Sequence, residues 1–248
     1  MRATAPVPRL TVITPAQWQP DALRAAVLRL LDVTPYGDRG WLCLQLRLER
    51  PADIAAAGWQ DVICVVGRLG VAVAWNVGCA HTAAEVAACV AICARGGISR
   101  LQLPECAAPP TVWRDALAAV GLSAVALSRS CHDPQGLTIA LAEGADAAFF
   151  SPIFASPSKP GVAPLGLVAL AQAAQRHPGR LIALGGIDAT TARAAFAAGA
   201  AGVACLRAPW GDAAAALLEA CRPPQDPPPE LSPAADSGCK SRRKDVSD

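Results

Sequence analysis

Eight short apolar runs alternate with alanine- and leucine-rich runs along residues 10–220, and this alternation constrains the fold more than any other feature. The short runs have the length of strands, whereas the longer ones repeat apolar residues with a helical period. Strands that alternate with helices form βαβ units and a parallel sheet. The predicted strands are Leu10–Thr14, Trp41–Arg47, Val71–Asn76, Ser99–Leu103, Ala124–Ser128, Ala147–Ser151, Leu181–Leu184 and Gly202–Leu206.

Eight such units in about 210 residues fit a closed barrel, in which each strand is followed by a covering helix. An open doubly wound sheet usually carries a glycine-rich fingerprint after its first strand, and Thr14, Pro15 and Ala16 do not form one. We therefore predict an α/β fold, a single (β/α)8 TIM barrel over residues 8–221. The predicted helices are Ala22–Leu31, Thr82–Ala94, Thr111–Val120, Gln135–Glu143, Leu167–Gln175, Ala189–Ala198 and Ala213–Ala220, with Ala52–Gly67 the least regular.

Residues 222–248 differ in composition from the rest of the chain. They are rich in proline and charge and lack periodicity, which predicts a disordered C-terminal tail. The net charge of +2 is too small to indicate nucleic-acid binding. No apolar run is long enough to span a membrane, and the first residues lack the apolar region of a signal peptide. We expect a cytoplasmic protein, and the oligomeric state stays open.

The ten cysteines follow no disulfide framework, so we expect free thiols that pack as small apolar residues. Cys89 and Cys93 are four residues apart, and His81 lies near them in the sequence. A metal site is the alternative there, but no second pair has the spacing of zinc ligands. The pattern favours two cysteines on the buried face of a helix.

The loop after the sixth strand has the composition of an anion-binding loop. Ser156, Ser158 and Lys159 bring two hydroxyl groups and an ammonium group within four residues, and prolines stiffen the segment. Lys159 is the only lysine before residue 240. Because active sites of barrels lie at the carboxyl ends of the strands, we expect this loop to bind a phosphate or diphosphate.

The turn after the seventh strand contains Gly185 and Gly186, which would let backbone N–H groups approach a phosphate closely. Asp188 resembles the N-cap of the next helix. Arg207, after the eighth strand, either reaches the same phosphate or is an ordinary surface arginine.

Two further strand ends carry polar side chains. In an extended segment Ser130 and His132 point to one side and Cys131 to the other, so Cys131 and His132 are a poor nucleophile–base pair. Histidine suits proton transfer near neutral pH, which makes His132 a candidate for that role. Gln45 and Arg47 share a face by the same alternation. Arg47 would need an anionic ligand there, unless Glu49 is its partner.

These strand ends together resemble the thiamin phosphate synthase/TenI family. The motifs that match are 130–132, 150–154, 156–161, 164–167, 183–187 and 198–204, with weaker likeness at Gln45, Arg47, Asn76 and 101–104. The resemblance implies a barrel that binds a phosphorylated small molecule of thiamin biosynthesis. It implies that Ser156, Ser158 and Lys159 contact diphosphate, that Gly185 and Gly186 hold the thiazole phosphate, and that Gln45, Arg47 and Asn76 line the pyrimidine or diphosphate side.

The sequence departs from the family pattern at several places. Glu49 stands where the family has lysine, Val77 where it has a magnesium-binding aspartate, and Arg207 where it has serine. Glu105 is the acidic residue nearest to the position at which the family has its second magnesium ligand. These departures favour a TenI-like isomerase that needs no metal, with His132 and Ser130 as catalytic residues. The alternatives are a Mg²⁺-dependent thiamin phosphate synthase and a non-catalytic phosphate-binding barrel; we assign no metal ligands.

Overall fold

The computed structural model describes residues 5–34, 39–48, 50–157 and 160–224, and it has the predicted barrel. Eight parallel strands, each paired with its neighbours in chain order, close through the pairing of β1 with β8. The strands are β1 Leu10–Ile13, β2 Leu42–Leu46, β3 Ala72–Asn76, β4 Arg100–Leu103, β5 Ala126–Cys131, β6 Ala147–Phe150, β7 Leu181–Leu184 and β8 Gly202–Cys205.

Helices cover the outside of the barrel in the described part of the chain. They are α1 Pro20–Asp32, α2 Pro51–Ala55, α3 Ala57–Arg68, α4 Ala83–Cys93, α5 Pro110–Ala119, α6 Pro134–Ala142, α7 Gly166–Arg176, α8 Ala189–Ala197 and α9 Ala214–Cys221. The one predicted helix over 52–67 is two helices, because Ala56 is extended with ψ 145°. Alanine itself favours a helix, so the break follows from the packing of Ile54 and Trp59 on either side of it.

Strand β5 extends further towards the site than the sequence indicates. The sequence predicts it at Ala124–Ser128, but it runs over Ala126–Cys131, where Ser128 pairs with Ala147 and Ser130 with Phe149. Serine is a weak strand former, and the hydrogen bonds to β6 outweigh this local preference. Ser130 therefore lies within the sheet and not in a loop.

Apolar side chains fill both sides of the sheet. Between the strands and the helices lie fully buried residues such as Leu101, Trp113 and Phe150. A second, smaller cluster contains Ile13, Ala147, Phe149, Ile182 and Ala204, at alternate positions that face the barrel interior. Burial of a large apolar side chain contributes about 1.5–3 kcal/mol, so these two layers hold the strand ends in place.

The expectation of free cysteines is wrong for one pair, since Cys79 and Cys106 form a disulfide. Their separation of 27 residues joins the loops after two neighbouring strands, a spacing that no short sequence motif marks. The described free cysteines are buried Cys43, Cys89, Cys93, Cys131, Cys205 and Cys221, and exposed Cys64.

Burial explains why most of the free thiols are inert. It raises the pKa of Cys89 and Cys93, both on α4, to about 12. Within the described residues no group of three or more His, Cys, Asp or Glu could hold a metal ion. Because Cys89 and Cys93 are both buried on α4, the packing interpretation fits the structure.

The predicted tail begins at residue 222, directly after α9 ends at Cys221. From residue 225 onward it lies outside the described residues, so disorder there stays a prediction. In the part of the chain that is described, no helix is both long and apolar enough to span a membrane.

Candidate active site

A cavity of about 350 Å³ opens at the carboxyl ends of the strands. The structure brings most of the sequence-predicted site residues to it, namely Gln45, Arg47, Asn76, Ser130, His132, Ser156, Gly185, Gly186 and Arg207. Ser158 and Lys159 lie outside the described residues. The geometry thus gathers residues from several separate strand ends around one space, while the role of each remains a prediction.

His132 follows directly after β5, and its ring is held at Nδ1. The Nδ1 atom lies 2.7 Å from the carbonyl oxygen of Ser151 and 3.2 Å from its hydroxyl. Because a carbonyl oxygen only accepts, the Nδ1–H donates to it, and Nε2 is then the nitrogen that can take up a proton. Nε2 lies 3.8 Å from a carboxylate oxygen of Glu105.

Cys131 points away from the cavity into the outer core and is 3% exposed. Burial raises the pKa of its thiol to about 12, so it is not a nucleophile. Ser130 and His132 both line the cavity. The alternation expected from the sequence is therefore present.

Gln102 is a cavity residue that the sequence interpretation did not select. Its side chain is buried, its Nε2 donates to the Ser130 hydroxyl at 2.9 Å, and its Oε1 accepts from the Ser128 hydroxyl at 2.5 Å. Because Ser130 accepts from Gln102, the hydroxyl proton of Ser130 is directed elsewhere. A glutamine between Leu101 and Leu103, at the end of a strand that leads to the rim, was the signal that could have found it.

The turn after β7 needs both of its glycines. Gly185 and Gly186 have φ of +99° and +66°, a region that favours glycine. A Cβ on Gly186 would lie 2.6 Å from the carbonyl oxygen of Ala155. The backbone N–H of Phe154 donates to the Gly185 carbonyl at 3.1 Å. The loop after β6 is therefore packed directly onto the turn after β7, at one rim of the barrel.

Asp188 is the N-cap of α8, as the sequence predicts. Its carboxylate accepts from the N–H groups of Thr190 and Thr191 at 2.8 and 2.9 Å. The Thr191 backbone hydrogen bond is the main reason that the pKa of Asp188 is lowered. Side-chain capping thus satisfies these two N–H groups of the helix.

Gln45 has an unusual environment. It lines the cavity and is 3% exposed, and its Oε1 atom has no hydrogen-bond partner within the described part of the chain. A buried acceptor without a donor costs about 1–3 kcal/mol. A ligand with an N–H or O–H group at this point would remove that cost. Two residues on, the Arg47 backbone N–H donates to the Thr14 hydroxyl at 3.0 Å.

The described lining of the cavity includes Arg47, Arg207 and His132 but no carboxylate, which bears on the magnesium ion that the resemblance implies. Mg²⁺ is usually held by one or two carboxylates with substrate phosphates. Val77 is buried in the apolar core, and the Glu105 carboxylate faces His132. The described residues therefore do not fit a magnesium site of the family pattern.

Comparison with known proteins places the similarity in the second half of the barrel. Residues 114–208 match the family described as thiamine monophosphate synthase. A thiamine-phosphate synthase from Anaeromyxobacter dehalogenans is 46% identical over 86 residues, 33% of this chain and 39% of that protein. One from Thermosynechococcus vestitus is 43% identical over 82 residues, 33% of this chain and 23% of that protein. The chain thus spans well under half the length of these two relatives.

Two solved structures share the fold over most of the chain. A thiamine phosphate pyrophosphorylase from Pyrococcus furiosus has a TM-score of 0.63 at 17% identity, over 86% of this chain and 95% of that one. A 3-hexulose-6-phosphate synthase has a TM-score of 0.60 at 18% identity, over 86% of this chain and 99% of that one. At such identities the likeness concerns the fold alone.

Proposed function

We propose that this chain, whose residues 114–208 match the thiamine monophosphate synthase family, is an enzyme of thiamin biosynthesis that binds a thiazole phosphate in the cavity. Within that function we place an isomerase first, one that moves a proton between two positions of the thiazole. The observation that carries this choice is the His132 ring, held at Nδ1 by the Ser151 carbonyl, in a cavity whose described lining has no carboxylate.

The proposed reaction is a proton transfer through His132. Nε2 removes a proton from a carbon of the thiazole ring, and the resulting imidazolium returns a proton to a different position, so no proton is gained or lost overall. General acid–base catalysis of this kind contributes roughly 10²–10⁴-fold to a rate. The Ser130 hydroxyl, directed by Gln102, donates to the ligand while its charge is rearranged.

The phosphate of the ligand is proposed to lie against Gly185 and Gly186. With no Cβ in the way, their backbone N–H groups can approach phosphate oxygens, and Arg207 and Ser156 line the same cavity. Ser158 and Lys159, which follow Ser156 in the sequence, are proposed to complete this anion site.

The test is an assay of purified protein with each of the two thiazole phosphate tautomers. Interconversion that is lost in His132→Ala, while binding of the thiazole phosphate remains, would support the isomerase. Binding without turnover both before and after the substitution would instead support a non-catalytic binding barrel.

The second candidate is a thiamin phosphate synthase, a transferase that joins a pyrimidine diphosphate to the thiazole phosphate with Mg²⁺. The comparisons favour this candidate over the isomerase, because both named relatives are synthases. The lack of a carboxylate in the described lining of the cavity favours the isomerase. Release of diphosphate from both substrates in the presence of Mg²⁺ would establish the synthase. A cytoplasmic location remains a prediction for either activity.

A further inference from the structure

We propose that Glu105 is a positioning residue for His132, and that the Cys79–Cys106 disulfide holds Glu105 in place, so that reducing this disulfide weakens the site. The role of His132 rests on the proposed function. The link between the disulfide, Glu105 and His132 rests on contacts that exist whatever the reaction is.

The disulfide joins two loops at the rim of the cavity. Cys79 lies in the loop after β3, three residues beyond Asn76, and Cys106 lies in the loop after β4, three residues beyond Leu103. Their Cα atoms are 5.1 Å apart, and both residues are exposed. A thiol reagent in solution can therefore reach the bond without unfolding of the barrel.

Glu105 precedes Cys106 directly and reaches towards the ring of His132. One of its carboxylate oxygens lies 3.8 Å from Nε2, while Nδ1 donates to the Ser151 carbonyl. The ring is therefore flanked by a carboxylate on one side and a carbonyl on the other. The carboxylate cannot accept a hydrogen bond from an Nε2 that carries no proton, but it attracts the imidazolium that forms when Nε2 takes one up. It therefore orients the charged ring, and its displacement lets that ring turn away from a productive position.

The rest of this loop is fixed by hydrogen bonds. Arg129 donates to the carbonyls of Glu105, Ala107 and Ala108 at 2.9, 3.2 and 2.9 Å. The Ala108 N–H donates to the carbonyl of Ala80 at 2.9 Å. These bonds keep the backbone near its place when the disulfide is open. We therefore expect reduction of the disulfide to make the Glu105 side chain more mobile without unfolding the loop.

The redox step is thiol–disulfide exchange with a dithiol. A thiolate of the reagent attacks one sulfur of the Cys79–Cys106 bond, forms a mixed disulfide and releases the other cysteine as a thiol. The second reagent thiol then displaces the first cysteine. The protein gains two electrons and two protons as Cys79–SH and Cys106–SH, and the dithiol becomes its own disulfide.

The first experiment measures isomerase kinetics of the oxidised and dithiothreitol-treated protein. Reduction is expected to lower kcat several-fold and to change KM for the thiazole phosphate less than twofold, because Glu105 acts on the ring and not on the phosphate. The double variant Cys79→Ser/Cys106→Ser is expected to match the reduced protein and to be insensitive to dithiothreitol. Cys64→Ser, which removes an exposed free cysteine, is the matched control and should keep the full response.

The second experiment does not depend on activity. In a protein with isotopically labelled histidine, the His132 imidazole signal is followed by NMR during reduction. On reduction, the His132 signal is expected to shift in the wild type and to shift less in Glu105→Gln. In Glu105→Asp, which restores the carboxylate, the shift is expected to return. His81 should also respond, because its Nδ1 lies 2.8 Å from the Cys79 carbonyl, whereas His177, near Thr138, should not.

The results separate the two proposals. An unchanged His132 signal, an equal shift in Glu105→Gln, or two free thiols at Cys79 and Cys106 under non-reducing conditions would each overturn the inference. A redox-dependent His132 signal without turnover in any state would support the link to Glu105 and contradict only the proposed isomerase.

Discussion

The side-chain amide of Gln102 donates a hydrogen bond to the hydroxyl of Ser130 at 2.9 Å. Gln102→Leu removes this donor and also one of the two acceptors of the Ser128 hydroxyl, which keeps the Leu101 carbonyl at 3.2 Å. We expect kcat/KM to fall by about tenfold or more, since loss of a buried hydrogen bond costs about 1–3 kcal/mol. Steady-state kinetics with the thiazole phosphate measure this.

Gln60→Leu is the matched control for that substitution. Gln60 lies on α3, and its Nε2 donates to the Ile54 carbonyl at 2.7 Å, away from the cavity lining. Its replacement should lower the midpoint of urea unfolding with little change in kcat/KM. Equal losses of activity in both variants would contradict a specific role for Gln102.

Replacement of His132 tests the proton transfer directly. In His132→Asn the nitrogen that takes up the proton is absent, so kcat is expected to fall by roughly 10²–10⁴-fold. Binding of the thiazole phosphate, measured by calorimetry, should stay within about threefold, because Gly185 and Gly186 are untouched. His177→Asn should behave as the wild type, and a variant of His132 with undiminished turnover would rule out its catalytic role.

Gly186→Ala tests the proposed phosphate site. The new Cβ would lie 2.6 Å from the Ala155 carbonyl oxygen, on a backbone with φ of +66°. The turn must move, so we expect binding of the thiazole phosphate to weaken by at least tenfold. Gly121→Ala also places alanine at positive φ, +77°, but meets no atom within 4 Å. It should cost about 1–2 kcal/mol of stability and leave the affinity unchanged, and a similar loss of affinity in both would refute the site.

Asp188→Ala tests the cap of α8 and its dependence on pH. Loss of an N-cap costs about 1 kcal/mol, which urea unfolding at pH 7 can measure. The pKa of Asp188 is lowered in the folded protein, so its contribution is complete above the ordinary value of 3.8. It is lost as the pH falls through the lower folded value. The difference between wild type and variant should therefore shrink as the pH falls below 3.8.

Asp188→Asn separates the cap from the charge, because asparagine caps helices as well as aspartate does. It should retain most of the stability of the wild type at pH 7 and show little change with acid. A deficit of the alanine variant that is the same at pH 7 and pH 3 would contradict the role of the carboxylate.

The barrel and the rim at which its cavity opens were predictable because they follow from periodic patterns. Strand ends of a parallel barrel meet at one rim, so the sequence alone suffices to assign residues as distant as Gln45 and Gly186 to one cavity. The break at Ala56 was not predictable, since it depends on packing of neighbouring helices. Nor was the pairing of Cys79 with Cys106, which depends on how far each loop reaches across the rim.

Gln102 shows a different limit of prediction from the sequence. The sequence marks it only as a polar residue within a strand, and its role becomes visible when the register of β4 with β5 places it opposite Ser128. Ser158 and Lys159, on which much of the predicted anion site depends, lie outside the described residues. Their contribution stays a prediction, whereas the contact of Phe154 with Gly185 shows that their loop starts at the right rim.

The positions of the cysteines allow a label to be attached selectively at the rim of the barrel where the cavity opens. Among the free cysteines of the described part of the chain, Cys64 is exposed and would react with a maleimide first, whereas deeply buried thiols such as Cys89 would stay protonated and unlabelled. In the double variant Cys64→Ser/Cys239→Ser, which also replaces the cysteine outside the described residues, gentle reduction would make Cys79 and Cys106 selectively reactive. A fluorophore attached there would sit beside the cavity and report its occupancy by a ligand.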